Sequence, residues 1–248
     1  MTAADLPAPA PLEPLPEDWQ RALVIVAHPD DIEYGSAAAI ARWTGQGKEI
    51  AYCLATSGEA GIDAIPPEQA GPLREAEERA SAEIVGVRTV EFLGHRDGVL
   101  EYGLPLRKDL AAAIRRHRPD IVITGNFRDT WGSRFPNQAD HIAVGRAAVD
   151  AARDAGNRWV FPGDGGEPWN GVRAVWAAGS FEATHAVDVT ETFAAGVDSL
   201  RAHKTYLEGL GDAFGDPEEF LESLARATGT RLGCTYAVAF EVYPLQFT

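Results

Sequence analysis

Residues 21–47, RALVIVAHPDDIEYGSAAAIARWTGQG, contain the pattern on which the fold prediction rests. A continuous apolar run at 22–27 is typical of a strand buried on both faces, and a polar segment separates it from a helical pattern at 36–47. The same order of strand, loop and helix recurs three times along the chain. Strands are predicted at 49–58, 89–94 and 120–126, and helices at 73–86, 106–119 and 140–156.

This alternation predicts a parallel sheet, because parallel strands need crossover connections and those crossovers cover both faces with helices. We therefore expect an α/β fold, a Rossmann-like three-layer sandwich with a mostly parallel sheet, formed by a single domain over residues 21–248. After residue 156 the regularity weakens. Two short strands are predicted at 172–179 and 185–190, helices near 190–206 and 216–227, and a last strand at 235–243. The glycine-rich segment 163–171 is either a lid or a solvated connection.

The N-terminal segment, residues 1–20, differs from the rest in composition. It has five prolines, four acidic residues and no basic residue. Such a composition favours an extended arm, which we expect to lie on the surface or on a neighbouring subunit. The arm thus offers a contact for a homo-oligomer.

Charge and hydropathy exclude several function classes. The 248 residues include 37 acidic and 22 basic ones, a formal net charge of -15, which argues against nucleic acid and anionic membranes as partners. No apolar stretch approaches the ~18 residues that span a bilayer, and no signal peptide is recognised, so a cytoplasmic protein is expected. Cys53 and Cys234 lie in separate apolar runs and are expected to be core residues.

Polar residues follow each predicted strand at the end where ligands bind in open parallel sheets. His28, Asp30 and Asp31 come directly after the first strand, and His141 begins the helix after the fourth. Imidazole and carboxylate groups suit Zn²⁺, and a catalytic zinc site needs three protein ligands and one open position. Because neighbouring extended residues point to opposite faces, one of the two aspartates can bind the metal and the other can act as a general base.

Five segments together resemble the PIG-L / LmbE-like family of zinc-dependent N-deacetylases. They are AHPDDIE at 27–33, LREAEERASAEIVGV at 73–87, FLGHRDG at 92–98, DHIAVGRAAVDAA at 140–152 and LRAHKTY at 200–206. The resemblance implies that His28, Asp31 and His141 bind one zinc ion per chain, although another divalent transition metal is compatible with these ligands. It further implies that Asp30 is the general base and that Arg74 and Asp97 orient the substrate.

The sequence departs from the family pattern at one position. The family commonly carries His-x-Asp-His where this chain has Gln138-Ala139-Asp140-His141. Gln138 and Asp140 are counted among the catalytic residues by position, but a glutamine cannot transfer a proton at neutral pH. Gln138 can still donate a hydrogen bond to an oxyanion. His203 lacks the serine and glutamine that accompany it in the family, and we expect a structural role for it.

Two functions are consistent with these residues. The first is hydrolysis of an acyl, most simply acetyl, amide on an amino sugar or an amide-bearing secondary metabolite, by metal-activated water with Asp30 as base. The alternative is a non-hydrolytic relative that keeps the zinc pocket to bind a ligand or to do different chemistry, because Gln138 replaces the proton-handling histidine. In either case the expected partner is a small molecule.

Overall fold

A computed structural model describes residues 10–132, 134–211 and 216–246. Ten strands are present in this part of the chain: β1 Glu13–Pro14, β2 Arg21–Val26, β3 Glu49–Leu54, β4 Thr89–Phe92, β5 Ile121–Gly125, β6 Thr130–Trp131, β7 Phe135–Pro136, β8 Ala174–Ala178, β9 His185–Asp188 and β10 Ala237–Pro244. The same ranges contain eight helices: α1 Asp31–Gly35, α2 Ala37–Gly45, α3 Pro67–Ile84, α4 Leu104–His117, α5 Ala139–Asp154, α6 Phe193–Arg201, α7 Lys204–Leu210 and α8 Pro217–Leu232.

Eight of these strands form one sheet in the order β1-β9-β10-β8-β5-β2-β3-β4. The pairs from β8 to β4 are all parallel, and β10 runs antiparallel to both of its neighbours. Alternate residues of β2 face two separate cores, with Val24 and Val26 in one and Leu23 and Ile25 in the other. Helix α2 packs on the first core, and α4 and α5 pack on the second. The predicted three-layer α/β sandwich is therefore confirmed.

The elements that the sequence pattern did not predict are short or interrupted. A five-residue helix, α1, begins at Asp31, inside the segment expected to be a loop. The helix predicted near 190–206 is two helices, because the chain breaks at His203 between α6 and α7. The small hairpin of β6 and β7 was also not predicted. Periodicity needs several turns or residues to be visible, so elements this short leave no clear pattern.

The N-terminal arm is packed rather than loosely placed on the surface, as far as the structure describes it. Strand β1 pairs with β9 at the sheet edge, and Trp19 is 1% exposed. The Trp19 ring meets Trp43 and Trp176 edge to face, at centroid distances of 5.2 and 5.9 Å. Residues 10–20 therefore contribute to the main core. The expectation for residues 1–9 lies outside the described part of the chain.

The glycine-rich segment 163–171, expected to be either a lid or a solvated connection, lies away from the carboxyl ends of the strands. It follows α5, whose 16 residues span about 24 Å, so it lies near the opposite edge of the sheet. Trp169 Nε1 donates to the Pro119 carbonyl at 2.7 Å. The lid interpretation is wrong, because this segment is anchored at the ends of α4 and α5.

Arg115 provides most of that anchoring. Arg115 is 3% exposed and donates to six backbone carbonyls. Those acceptors are the carbonyls of Asp154, Ala155, Asn157, Val160, Phe161 and Asp164. One guanidinium therefore ties the end of α5 and the loop that follows it to α4.

Within the described ranges, no helix is both long and apolar enough to cross a membrane.

The Arg115 anchor gives a first prediction. Replacement of Arg115 by Met removes all of its hydrogen bonds to these carbonyls, although four of the six keep a backbone donor. We expect the free energy of unfolding to fall by about 2 kcal/mol or more, because the Val160 and Asp164 carbonyls lose their donor. Urea unfolding measures this. Arg116→Met is the matched control, since Arg116 is 42% exposed in its side chain and pairs only with Glu91 at the surface; it should cost at most ~1 kcal/mol. Equal losses in the two variants would contradict the anchor.

Candidate metal centre

The candidate site lies where the strand order reverses. The chain runs outward from β2 through β3 to β4 and then returns to β5 on the other side of β2. The loops after β2 and β5 therefore begin at the carboxyl ends of neighbouring strands, the place where ligands bind in open parallel sheets. His28 follows β2, and His141 lies in the first turn of α5, after β5. The centroids of their rings are 5.2 Å apart.

The backbone of the loop after β2 turns sharply at Asp30. Asp30 has φ 106° and ψ -25°, a left-handed conformation that is costly for a residue with a side chain. Asp31 then starts α1, so the two adjacent carboxylates point in different directions. Asp31 Oδ2 accepts the backbone N–H groups of Ala27 and His28 at 3.0 and 2.9 Å. Its other oxygen, Oδ1, lies 2.9 Å from His141 Nε2.

His28, Asp31 and His141 are brought together as a set of possible metal ligands. One donor atom from each lies within 4.8 Å of the others. His28 Nδ1 is 3.6 Å from Asp31 Oδ2. These separations bracket the ~3.4 Å between ligand atoms of a tetrahedral zinc site. The side chains of Asp31 and His141 are 15% and 22% exposed, so this set is reachable from solvent.

The remaining nitrogen of each imidazole faces an oxygen acceptor. His28 Nε2 lies 3.0 Å from Asp97 Oδ1 and 3.3 Å from Asp140 Oδ2. His141 Nδ1 lies 3.0 Å from Asn137 Oδ1. Because these acceptors favour an N–H at His28 Nε2 and at His141 Nδ1, the lone pairs lie on His28 Nδ1 and His141 Nε2. These are the two atoms beside Asp31. Metal-binding histidines are commonly oriented by such acceptors.

Asp97 and Asp140 therefore act on His28. Asp140 is 1% exposed and accepts the backbone N–H groups of Gly98 and Leu100 at 2.7 and 3.0 Å. The Asp97 side chain, 6% exposed, accepts the N–H of Ala60 at 2.8 Å. Both carboxylates are therefore placed to orient His28. The substrate-orienting role expected for Asp97 and the catalytic role expected for Asp140 stay predictions.

The charges of the cluster favour a cation at its centre. Burial acts to lower the pKa of His28, but Asp31, Asp140 and Asp97 outweigh it and raise the pKa to about 12. Burial likewise opposes ionisation of Asp31, yet His141 and His28 hold the pKa of that carboxyl well below its usual range. A proton on His28 and a divalent ion would thus compete for the same negative field.

In the described part of the chain, two other groups of side chains also have the composition of a metal site. His28, Asp97 and Asp140 form one, but its carboxylates are already occupied by backbone donors. Glu33, Glu78 and His203 form the other, and their side chains are essentially inaccessible to solvent. A substrate cannot reach that third cluster. Of the three, the His28, Asp31 and His141 set alone combines free donor atoms with an open side.

Asp30 is held by Arg74 and Tyr206. Arg74 Nη2 donates to Asp30 Oδ1 at 3.1 Å and to the Pro29 carbonyl, and Nη1 donates to the Gly58 carbonyl at 3.0 Å. The guanidinium lies 4.1 Å from the centre of the Tyr206 ring, whose hydroxyl hydrogen-bonds to Asp30. Arg74 is 2% exposed, and its guanidinium is placed to orient Asp30; the substrate-orienting role expected for it stays a prediction.

The pKa of Asp30 is raised by burial and by the neighbouring charge of Asp31, against Arg74 and Tyr206, which lower it. A raised carboxylate pKa suits a group that accepts a proton and later returns it. Gln138, in contrast, is exposed and precedes α5, and its side chain makes no hydrogen bond to the part of the chain that the structure describes. Its backbone N–H donates to Asn137 Oδ1 at 2.8 Å.

The buried cluster of Glu33, Glu78 and His203 was not predicted as a unit. His203 Nε2 lies 3.6 Å from a carboxylate oxygen of each glutamate. Burial and the Glu33 charge raise the pKa of Glu78 well above its usual range, and Glu33 raises the pKa of His203 against the effect of burial. These shifts favour the neutral form of Glu78 and the protonated form of His203. The expected structural role of His203 agrees with its burial.

The cluster connects the helices behind Asp30. Ser81 Oγ, on α3, donates to Glu33 and also contacts Ser199 Oγ, on α6, at 2.7 Å. Glu33 belongs to the 27–33 motif, and Glu78 is four residues after Arg74 on α3, one turn along the same face. That spacing was the only sequence signal for the cluster.

Comparison with known proteins identifies the family. The family model of PIG-L, described as GlcNAc-PI de-N-acetylase, matches residues 23–152, the region that holds His28, Asp31 and His141. The chain belongs to this family. It is 27% identical over 233 residues to the diacetylchitobiose deacetylase of Thermococcus kodakarensis, an alignment that covers 92% of this chain and 84% of that protein.

A second relative carries a different substrate in its name. The 1D-myo-inositol 2-acetamido-2-deoxy-alpha-D-glucopyranoside deacetylase of Streptomyces scabiei is 32% identical over 202 residues, which cover 69% of this chain but only 60% of that protein. Among solved structures, N,N'-diacetylchitobiose deacetylase from Pyrococcus horikoshii, complexed with its inhibitor MPG, superposes with a TM-score of 0.84. It is 25% identical, and the match covers 92% of this chain and 85% of that one.

Proposed function

We propose that this protein is a zinc-dependent N-deacetylase that hydrolyses the acetamido group of an N-acetylglucosamine-type sugar. The observation that carries the proposal is the convergence of His28 Nδ1, Asp31 and His141 Nε2 at a position that solvent reaches, with the other nitrogen of each imidazole held by an oxygen acceptor. The family match and the deacetylase relatives supply the reaction and the sugar class.

Zinc fits this set of ligands. Two imidazoles and one carboxylate form a borderline donor set with one position open to substrate, as in hydrolytic zinc sites. When bound there, the ion would lower the pKa of water and polarise the acyl oxygen. Asp31 contributes one negative charge, so a divalent ion at this position keeps a net charge of +1 within the ligand set.

The remaining steps belong to the chain's own residues. Asp30 accepts a proton from the attacking water, and Arg74 and Tyr206 fix the orientation of its carboxylate. Its raised pKa also lets Asp30 return that proton to the leaving amine, which supplies the acid that Gln138 cannot provide. Gln138 lies one turn before His141 and, being exposed, can donate its amide N–H to an oxyanion.

Replacement of Asp30 by Asn tests this role. The variant should keep one zinc per chain, because Asp30 is not a ligand, and should lose about 10²–10⁴-fold in kcat for N-acetyl hydrolysis. Acetate release from N,N'-diacetylchitobiose and N-acetylglucosamine, together with metal analysis, gives both quantities. Asp63→Asn, which removes the same charge from an exposed position, is the control and should leave both unchanged. Full turnover by Asp30→Asn would refute the assignment.

A second substitution separates the two candidate functions. Gln138→His restores the residue common in the family, and we expect kcat for the acetamido substrates to rise several-fold or more, since an imidazole adds a second proton donor. If both the natural protein and this variant bind zinc and release no acetate from a broad panel of N-acyl sugars, the non-hydrolytic alternative is favoured. The panel is read by acetate assay and by metal content in the same samples.

A further inference from the structure

Three aromatic side chains lie together beside the candidate metal centre. Trp131 is on β6, Phe135 is on β7, and Phe181 follows β8. Phe135 and Phe181 are 71% and 66% exposed, which is unusual for large apolar residues. Because Trp131 and Phe135 are directly opposite each other in the hairpin, their side chains share one face of it. We refer to Trp131, Phe135 and Phe181 as the aromatic platform.

The platform adjoins one of the proposed metal ligands. The Trp131 ring meets the His141 ring edge to face, with centroids 6.3 Å apart and planes at 89°. A Cβ placed on Gly179, whose φ is 71°, would be 3.1 Å from the Trp131 ring, so the chain after β8 passes closely under this indole. On Gly132 a Cβ would be 3.5 Å from the Phe181 ring. The two loops thus form one surface.

Asn137 fixes the platform relative to the centre. Its Nδ2 donates to the carbonyls of Asn126 and Arg128 at 2.8 and 3.0 Å, and its backbone N–H donates to the Asp129 carbonyl at 2.9 Å. These bonds close the base of the hairpin. The Oδ1 atom of the same residue faces His141 Nδ1 at 3.0 Å. One side chain therefore sets both the hairpin position and the orientation of His141.

We propose that the aromatic platform binds the pyranose rings of the substrate by stacking. This rests on the proposed deacetylase function. The apolar C–H face of a sugar suits an aromatic ring, and an exposed apolar patch beside a polar reaction centre is typical of a ligand site. Trp131, nearest His141, binds the sugar that carries the reacting acetamido group. Phe135 and Phe181, which are more exposed than Trp131, bind the next sugar of a disaccharide.

The other aromatic residues near polar loops do not share this placement. Trp169 Nε1 donates a hydrogen bond to the Pro119 carbonyl, and the Arg118 guanidinium lies 4.8 Å from the centre of the Trp169 ring. Trp159 is 83% exposed, but it lies beyond the far end of α5, in the segment anchored by Arg115. Trp159 is therefore a matched control for the loss of an exposed aromatic side chain.

The test compares one sugar with two. In the Asp30→Asn background, which should bind substrate without turning it over, calorimetry gives the Kd for N-acetylglucosamine and for N,N'-diacetylchitobiose. Phe181→Ala should weaken disaccharide binding about three- to tenfold and leave the monosaccharide unchanged, and Trp131→Leu should weaken both by a similar factor. Trp159→Ala should change neither. With Asp30 intact, the same substitutions should raise KM in the same pattern while the zinc content stays constant.

The outcomes separate the platform from the function on which it rests. If the natural protein binds and hydrolyses the sugars and Phe181→Ala binds both as tightly as its parent, the platform is wrong and the deacetylase proposal stands. If neither sugar binds to or is hydrolysed by the natural protein, the proposed function has failed. Phe135→Ala is a second exposed substitution, and its behaviour should match Phe181→Ala. Equal loss for both sugars in Phe181→Ala would also overturn the assignment of the outer subsite.

Discussion

The site depends on two imidazole rings, each with one nitrogen held by an oxygen acceptor. Asp97 and Asp140 face His28 Nε2, and Asn137 faces His141 Nδ1. With those N–H groups committed, the opposite nitrogens present lone pairs to the space beside Asp31. A neutral histidine has only one acceptor nitrogen, so its tautomer decides whether it can bind a metal. Without these acceptors, the same three residues would be a weak and variable donor set.

The fold supplies those acceptors from separate loops. Asp97 follows β4, whereas Asn137 and Asp140 lie where the chain enters α5 after β5. Buried β2 places His28 between them, because it lies between β5 and β3 in the sheet. The left-handed backbone of Asp30 then separates two adjacent carboxylates, one directed to the centre and the other to Arg74 and Tyr206. The strain at Asp30 is located where two neighbouring acids need different environments.

Much of this arrangement could be predicted from the sequence because it follows from local patterns. The apolar runs predicted β2, β3 and β5, and the rule for parallel strands predicted that His28 and the loop after β5 meet at one edge. Alternation in an extended segment was the reason to expect Asp30 and Asp31 to differ in direction, whereas the left-handed backbone of Asp30 is what separates them. The packing of the N-terminal arm, residues 10–20, could not be predicted from its proline-rich composition. It depends on contacts of Trp19 with Trp43 and Trp176, which are remote in sequence.

The contacts of Arg74, Asp97 and Asp140 could not be predicted for a similar physical reason. A charged side chain in a motif has the same sequence signature whether it faces a substrate or supports another residue. Burial decides between these roles, and it is set by tertiary contacts: Arg74 to the carbonyls of Pro29 and Gly58, Asp140 to the N–H groups after β4. Asn137 and Arg115 belong to no recognised motif, and only their contacts show that they orient His141 and anchor the loop after α5.

Anomalous X-ray diffraction at the zinc absorption edge, from crystals of the zinc-loaded protein, tests the central claim most directly. It should show one strong peak within ~2.3 Å of His28 Nδ1, His141 Nε2 and a carboxylate oxygen of Asp31. A peak at Glu33, Glu78 and His203 instead, or a metal bound to His28 through Nε2, would contradict the account. In that case Asp97 and Asp140 could not be holding the imidazole as described.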